Sequence, residues 1–172
     1  MTEIKPARWT PAAEIGQPLK LYHCAVDPNW IDYNGHLTES RYLYAFGEAS
    51  DALFRYVGID EAYRAAGHSF YTVETHINYY KEVSGGEPLH FTTHLLDLDE
   101  KRLHLFHTML HGFTGELLAT TEQMLIHVDM KAASASPIPS EVCTALQAIL
   151  TAHQTLPIPK QVGRQMAIQR KN

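Results

Sequence analysis

The sequence predicts an α+β fold in which one long helix packs on a face of an antiparallel sheet. Two patterns carry this. Apolar residues recur at three- and four-residue spacing through one long segment, as one face of a helix requires. Further along, four segments of strand composition succeed one another, separated by breaks rich in glycine, proline and charge. The length of 172 residues and 45% hydrophobic content suit a single globular domain.

Residues 1–18 carry Pro6, Pro11, Gly16 and Pro18 and read as an irregular arm. A strand is expected over Leu19 to Val26, broken by Asp27, Pro28 and Asn29. Thr38 is a suitable N-cap for the long helix, and Glu39 suits its positive end. Tyr42, Ala45, Phe46, Ala49, Ala52, Leu53 and Tyr56 form its apolar face. Leu43, Phe54 and Val57 make a second, partly apolar stripe. Gly58 can end the helix in a left-handed conformation. Asp60 can cap a short second helix closed by Gly67.

Strands are expected near residues 69–81, 88–99, 102–112 and 117–129, as an antiparallel meander. The last two separations are short enough for hairpins. Leu103, Leu105, His107 and Met109 alternate with Arg102, His104, Phe106 and Thr108, so neither face is cleanly polar. One face then packs on the long helix, and a neighbour or a terminal segment partly covers the other. Residues 132–139 read as a linker, Ser140 as the cap of a last helix reaching about Ala152, and the basic stretch after Pro157 as a solvated terminus. The organisation is an arm (1–18), a central domain (19–130), and a linker, helix and basic tail (131–172).

The net charge of −5, with no basic stripe, argues against a nucleic-acid partner. No apolar run approaches the roughly 20 residues needed to cross a bilayer, and no secretory signal pattern opens the sequence. A soluble, cytoplasmic protein is expected. Cys24 and Cys143 are too few for a disulfide scaffold, and the 11 histidines are scattered. No metal and no cofactor are expected.

The segment Asp32-Tyr33-Asn34-Gly35-His36-Leu37-Thr38-Glu39 is a polar turn that runs into a helix start. Unpaired N–H groups at such a start attract negative charge, as a thioester carbonyl requires when a nucleophile adds to it. Asp32 can attack the carbonyl or activate water. Asn34 can orient water or the acyl group, and His36 can bond the carboxylate or move a proton. The same residue types also build plain capped turns, and spacing alone does not separate the two readings.

This turn, followed by Arg41-Tyr42-Leu43, resembles the hotdog-fold thioesterases, in which an antiparallel sheet wraps a long central helix and the dimer is the working unit. The resemblance covers about residues 19–130. It implies a catalytic role for Asp32, three residues before Gly35, and for Asn34 and His36. Many relatives have an asparagine pair where this chain has Thr38-Glu39, so Glu39 is a candidate second carboxylate. Glu74 falls where some relatives carry a catalytic glutamate. Trp30-Ile31-Asp32-Tyr33-Asn34-Gly35-His36, Val73-Glu74-Thr75-His76-Ile77-Asn78-Tyr79 and Leu98-Asp99-Glu100-Lys101-Arg102-Leu103-His104-Leu105-Phe106-His107 resemble the thioesterases of carnitine breakdown, which act on betainyl-CoA.

That resemblance implies an acyl-CoA partner and a homodimer or homotetramer. A trimethylammonium group binds best on aromatic faces beside a carboxylate. Trp30, Tyr33, Tyr42, Phe46 and Tyr71 are the candidate faces, and Glu39 or Glu74 the countercharge. Lys81, Lys101 and Arg102 are candidates for the phosphates of CoA. A broad acyl-CoA thioesterase, a hotdog dehydratase and a non-catalytic acyl-CoA binder are the alternatives.

Overall fold

The computed structural model describes residues 7–168. After the arm, β1 (Leu19–Ala25) runs into a 3-10 turn at Pro28–Trp30, where the Asp27 side chain accepts the Asn29 N–H. The long helix α1 (Glu39–Val57) follows, with Tyr42, Ala45, Phe46, Ala49, Leu53 and Tyr56 buried as its periodicity predicts. Thr38 holds the N-cap position, but its side chain makes no capping bond. Its backbone is bound instead: the N–H donates to Trp30 O at 2.9 Å, and the carbonyl accepts the Arg41 N–H at 2.8 Å. Gly58 closes the helix at φ 97°, as expected of a left-handed cap. A short helix, α2 (Glu61–Ala65), is capped by Asp60, which accepts the Tyr63 N–H at 3.0 Å.

Four long strands follow: β2 (His68–Tyr79), β3 (Pro88–Leu98), β4 (Arg102–His111) and β5 (Leu117–Asp129). The two expected hairpins, β3–β4 and β4–β5, form. The expected meander does not extend to β2, because the antiparallel sheet runs β1-β3-β4-β5-β2 and β2 pairs with β5. The reason lies in the link 80–87, which crosses the end of the sheet. Tyr80 and Lys81 donate to Leu118 O, the Leu37 N–H takes Val83 O at 2.9 Å, and Gly86 donates to Val26 O at 2.9 Å. Each step satisfies backbone groups that a crossing loop would otherwise leave bare, and the last delivers β3 beside β1. A two-residue strand, β6 (Ser134–Ala135), pairs with β5.

Leu103, Leu105, His107 and Met109 of β4 lie completely buried in the interior, as their alternation predicts. Helix α1 touches β1, β3, β4 and β5, so the sheet curls around it. A curled sheet gripping one long helix is the hotdog arrangement that the resemblance implied.

Helix α3 (Ser140–His153) adds Val142, Ala145, Leu146 and Ile149 to the cluster that holds Leu53, Val57, Leu95 and Leu105. Its expected cap, Ser140, is already the first helical residue. Pro139 holds the cap position, and its carbonyl accepts the Cys143 N–H at 2.9 Å. His153 closes the edge of β3 beyond β1: the Leu95 N–H donates to Nδ1 at 3.0 Å, and Nε2 lies 3.0 Å from Gly16 O.

The stretch after Pro157, expected as a solvated terminus, is largely exposed but tied to the sheet. The Gly163 N–H bonds the Glu122 carboxylate at 2.9 and 3.1 Å, and Gln161 donates to the Tyr80 hydroxyl at 3.0 Å. This segment therefore covers part of the outer sheet face. Pro6, Arg170 and Lys171 lie outside the described residues. No helix among the described residues is long and apolar enough to cross a membrane.

Candidate active site

The polar turn is a small hairpin docked against the crossing link. Ile31 pairs with Leu37, and His36 with Ser84. At its tip the Gly35 N–H donates to Asp32 O at 3.0 Å, and the Asp32 N–H donates to His36 O at 2.9 Å. Gly35 sits at φ 84°, where a side chain would be strained. The Asn34 N–H donates to Asp32 Oδ1 at 2.8 Å. That bond fixes the direction of the carboxylate. The Thr38–Trp30 bond and the Ile31–Leu37 pair then hold the half-buried Asp32 beside the amino end of α1.

The other expected residues divide. Asn34 is exposed, and its structural contribution is its backbone N–H. His36 does not bond the Asp32 carboxylate, because its Nδ1 lies 2.6 Å from Glu82 Oε2 on the crossing link. Glu39 is exposed in the first turn of α1, and its charge adds to the burial that raises the pKa of Tyr79. Tyr33 is 97% exposed and touches no wall within the chain.

Tyr42 and Phe46, expected as walls for a bound cation, are core residues. The Tyr42 hydroxyl donates to Lys81 O at 3.0 Å, and its ring stands edge-on to Tyr79. Phe46 is fully buried against Phe91 and His107. Tyr71 sits eight residues before Tyr79 on β2, roughly 25 Å along the strand at the usual rise, and so lies away from its own chain's turn. Glu74 is also remote from that turn. It faces a cavity of about 300 Å³ on the outer sheet face with His76, His104, Glu122, Met124 and Arg164. Of the phosphate candidates, Lys81 adjoins the site and pairs with Glu116. Lys101 and Arg102 sit at the opposite end of β3, where Asp99 binds Arg102.

Trp30 alone among the expected aromatic faces is half-buried beside the turn with an aromatic neighbour in open reach. Its ring lies 5.4 Å from that of Tyr44, at 67°. Tyr44 and Glu48 lie off the apolar stripe of α1, on the side that periodicity assigns to solvent, so the sequence did not single them out. Their four-residue spacing was the available signal. Among the described residues, no group of three or more His, Cys, Asp or Glu could hold a metal ion. Cys24 and Cys143 are free thiols.

Residues 26–146 match the family model of the thioesterase-like superfamily. The chain is 46% identical over 153 residues to the L-carnitine dehydrogenase/betainyl-CoA thioesterase of Rhizobium meliloti (strain 1021), covering 89% of this chain and 31% of that protein. It thus spans about a third of the length of that relative. It is 42% identical over 151 residues to the betainyl-CoA thioesterase of Pseudomonas aeruginosa, covering 87% of this chain and 95% of that one. A Staphylococcus aureus protein solved in complex with CoA superposes with a TM-score of 0.78 at 25% identity, over 91% of this chain and 100% of that one. With the family match spanning most of the hotdog sheet and the central helix, the chain belongs to the thioesterase-like superfamily.

Proposed function

We propose that this chain hydrolyses an acyl-CoA thioester, with betainyl-CoA as substrate and glycine betaine and free CoA as products. The observation that carries the substrate is the 42% identity to a betainyl-CoA thioesterase across 95% of its length. Asp32 is the working carboxylate. The substrate carbonyl points at the amino end of α1, whose first N–H groups have no partner inside the helix. Those donors stabilise the oxygen as it gathers negative charge. Asp32 either adds to the carbonyl carbon, giving an anhydride that water cleaves, or takes a proton from water that adds directly. In both routes the C–S bond breaks, and the CoA thiolate leaves and gains a proton. The new carboxylate oxygen of the product comes from water, or from Asp32 where water cleaves the anhydride at the aspartyl carbon and replaces the oxygen that Asp32 gave up. Turnover in ¹⁸O-labelled water tests for the anhydride, since label in Asp32 arises only when water cleaves an anhydride at the aspartyl carbon.

The working unit is proposed to be a homodimer joined along β2, with the second copy closing the open side of the turn. The proposed setting is the cytoplasm, where free thiols such as Cys24 and Cys143 stay reduced.

The test is a panel of betainyl-, acetyl-, benzoyl- and longer acyl-CoAs. Betainyl-CoA is expected to give the highest kcat/KM, and a value no higher than that of acetyl-CoA rejects the substrate. Asp32→Ala is expected to lower turnover at least about a hundredfold, the scale of acid–base catalysis, with its melting temperature retained. Unchanged turnover removes Asp32 from the mechanism.

A further inference from the structure

Helix α1 turns an outward strip to solvent that includes Leu43, Tyr44 and Gly47. Glycine inside a helix costs about 1 kcal/mol relative to alanine, so its presence mid-helix calls for a reason. Gly47 does not need it for a positive φ, and a Cβ there would meet nothing within 4 Å. Packing within the chain therefore does not explain it, and its effect is to leave the helix surface bare of a side chain at this position. Tyr44, one turn earlier, is 47% exposed and stands edge-on to Trp30. Glu48 is four residues after Tyr44 and so shares its side of the helix. Across from it lies β1, where burial and the Glu48 charge together raise the pKa of Tyr22 and Cys24. The Arg41 guanidinium lies 5.7 Å from the Tyr44 ring centroid, so this ring already presents a face to a cation.

We propose that Trp30, Tyr44 and Glu48, beside the bare helix surface at Gly47, bind a quaternary ammonium group at the acyl end of the substrate, with Glu48 setting specificity for its charge. This rests on the hydrolase reading above and adds the subsite that recognises the acyl group. A trimethylammonium cannot donate a hydrogen bond, so a polar pocket holds it poorly. Aromatic faces attract it through the ring quadrupole, and a nearby carboxylate supplies the countercharge.

The reach is suitable. In a betainyl thioester the nitrogen is two bonds from the carbonyl carbon, so the subsite must adjoin the reaction centre. Trp30 is two residues from Asp32. Tyr44 is five residues into α1, about 7.5 Å along its axis. The Glu48 side chain tilts back toward the amino end, as helical side chains do.

The test compares kcat/KM for betainyl-CoA with that for 3,3-dimethylbutanoyl-CoA, its uncharged isostere with carbon in place of nitrogen. It uses the full chain and the variants Glu48→Gln and Tyr44→Leu, each checked by its melting transition. The unaltered protein is expected to prefer betainyl-CoA, and each variant to lower the ratio of the two values at least tenfold. If one variant does not fold, the other decides. A preference that survives in the folded variants overturns this subsite and leaves the proposed hydrolysis standing. An unaltered protein that cleaves the isostere as well as betainyl-CoA, or cleaves neither, overturns the proposed substrate, and the subsite with it.

Discussion

His107 shows how far one residue's chemistry depends on its surroundings. It is fully buried between α1 and the sheet, with Nε2 3.0 Å from Ser50 Oγ and Nδ1 3.0 Å from Thr93 Oγ1. Ser50 has one proton to give, and Gln123 Oε1 and Phe46 O both lie 3.1 Å away as acceptors. The Ser50 oxygen therefore accepts from Nε2–H, Nδ1 accepts from Thr93, and the imidazole is neutral. Burial pushes its pKa down to about 4. A histidine whose folded pKa lies below its unfolded value near 6.5 contributes fully above that value, and its contribution is lost as pH falls toward the folded pKa. Stability is thus expected to fall by on the order of 3 kcal/mol from this group between about pH 6.5 and pH 4. Burial lowers the pKa of His94, His127 and His153 as well, in the same direction. Urea denaturation at stepped pH checks this, and a stability independent of pH across that window refutes it.

Helix α3 belongs to the same core as α1, so a core deletion there should destabilise the whole domain. Leu146 is completely buried. Leu146→Ala is expected to cost about 2–5 kcal/mol, which for a chain of this size lowers the melting temperature by roughly 5–15 °C. A shift of a degree or less would mean that α3 docks loosely. The apolar stripe of α3 was legible in the sequence, as were the stripe of α1, the Gly58 cap and both hairpins, because each is fixed by residues a few positions apart. The partner of β2 was not legible. Its alternation specifies a strand but not whether β3 or β5 lies beside it, and that choice is made by hydrogen bonds from the link 80–87 to Leu118, Leu37 and Val26. The same division holds at the site. The Asp32–Gly35 turn could be read locally, whereas the pairing of His36 with Glu82 and the meeting of Trp30 with Tyr44 depend on the fold. Trp30 lies 14 residues before Tyr44 in the chain, and the hairpin closed by the Ile31–Leu37 pair and the Thr38–Trp30 bond brings the rings together.

The sheet ends on β2, whose outer edge pairs with no strand among the described residues. This strand is 12 residues long, with Tyr71, Val73 and Tyr79 between 44% and 59% exposed. A long edge carrying apolar side chains promotes pairing with another chain. Pairing β2 antiparallel with its own copy satisfies two-fold symmetry, since each chain then presents the same patch to the other. The proposed dimer would cover these side chains, continue the hydrogen-bond ladder and close the open side of the Asp32 turn. Light scattering of the purified protein is therefore expected to give the mass of two chains. Val73→Lys puts a charge on the exposed edge strand of both copies, where like charges across the pairing repel. The variant is expected to shift toward the mass of one chain and to lose the proposed hydrolysis in parallel, while its melting transition persists. A variant that becomes monomeric yet keeps full turnover would show that one copy suffices for the chemistry. An unaltered protein that is itself monomeric would remove β2 as the joining edge.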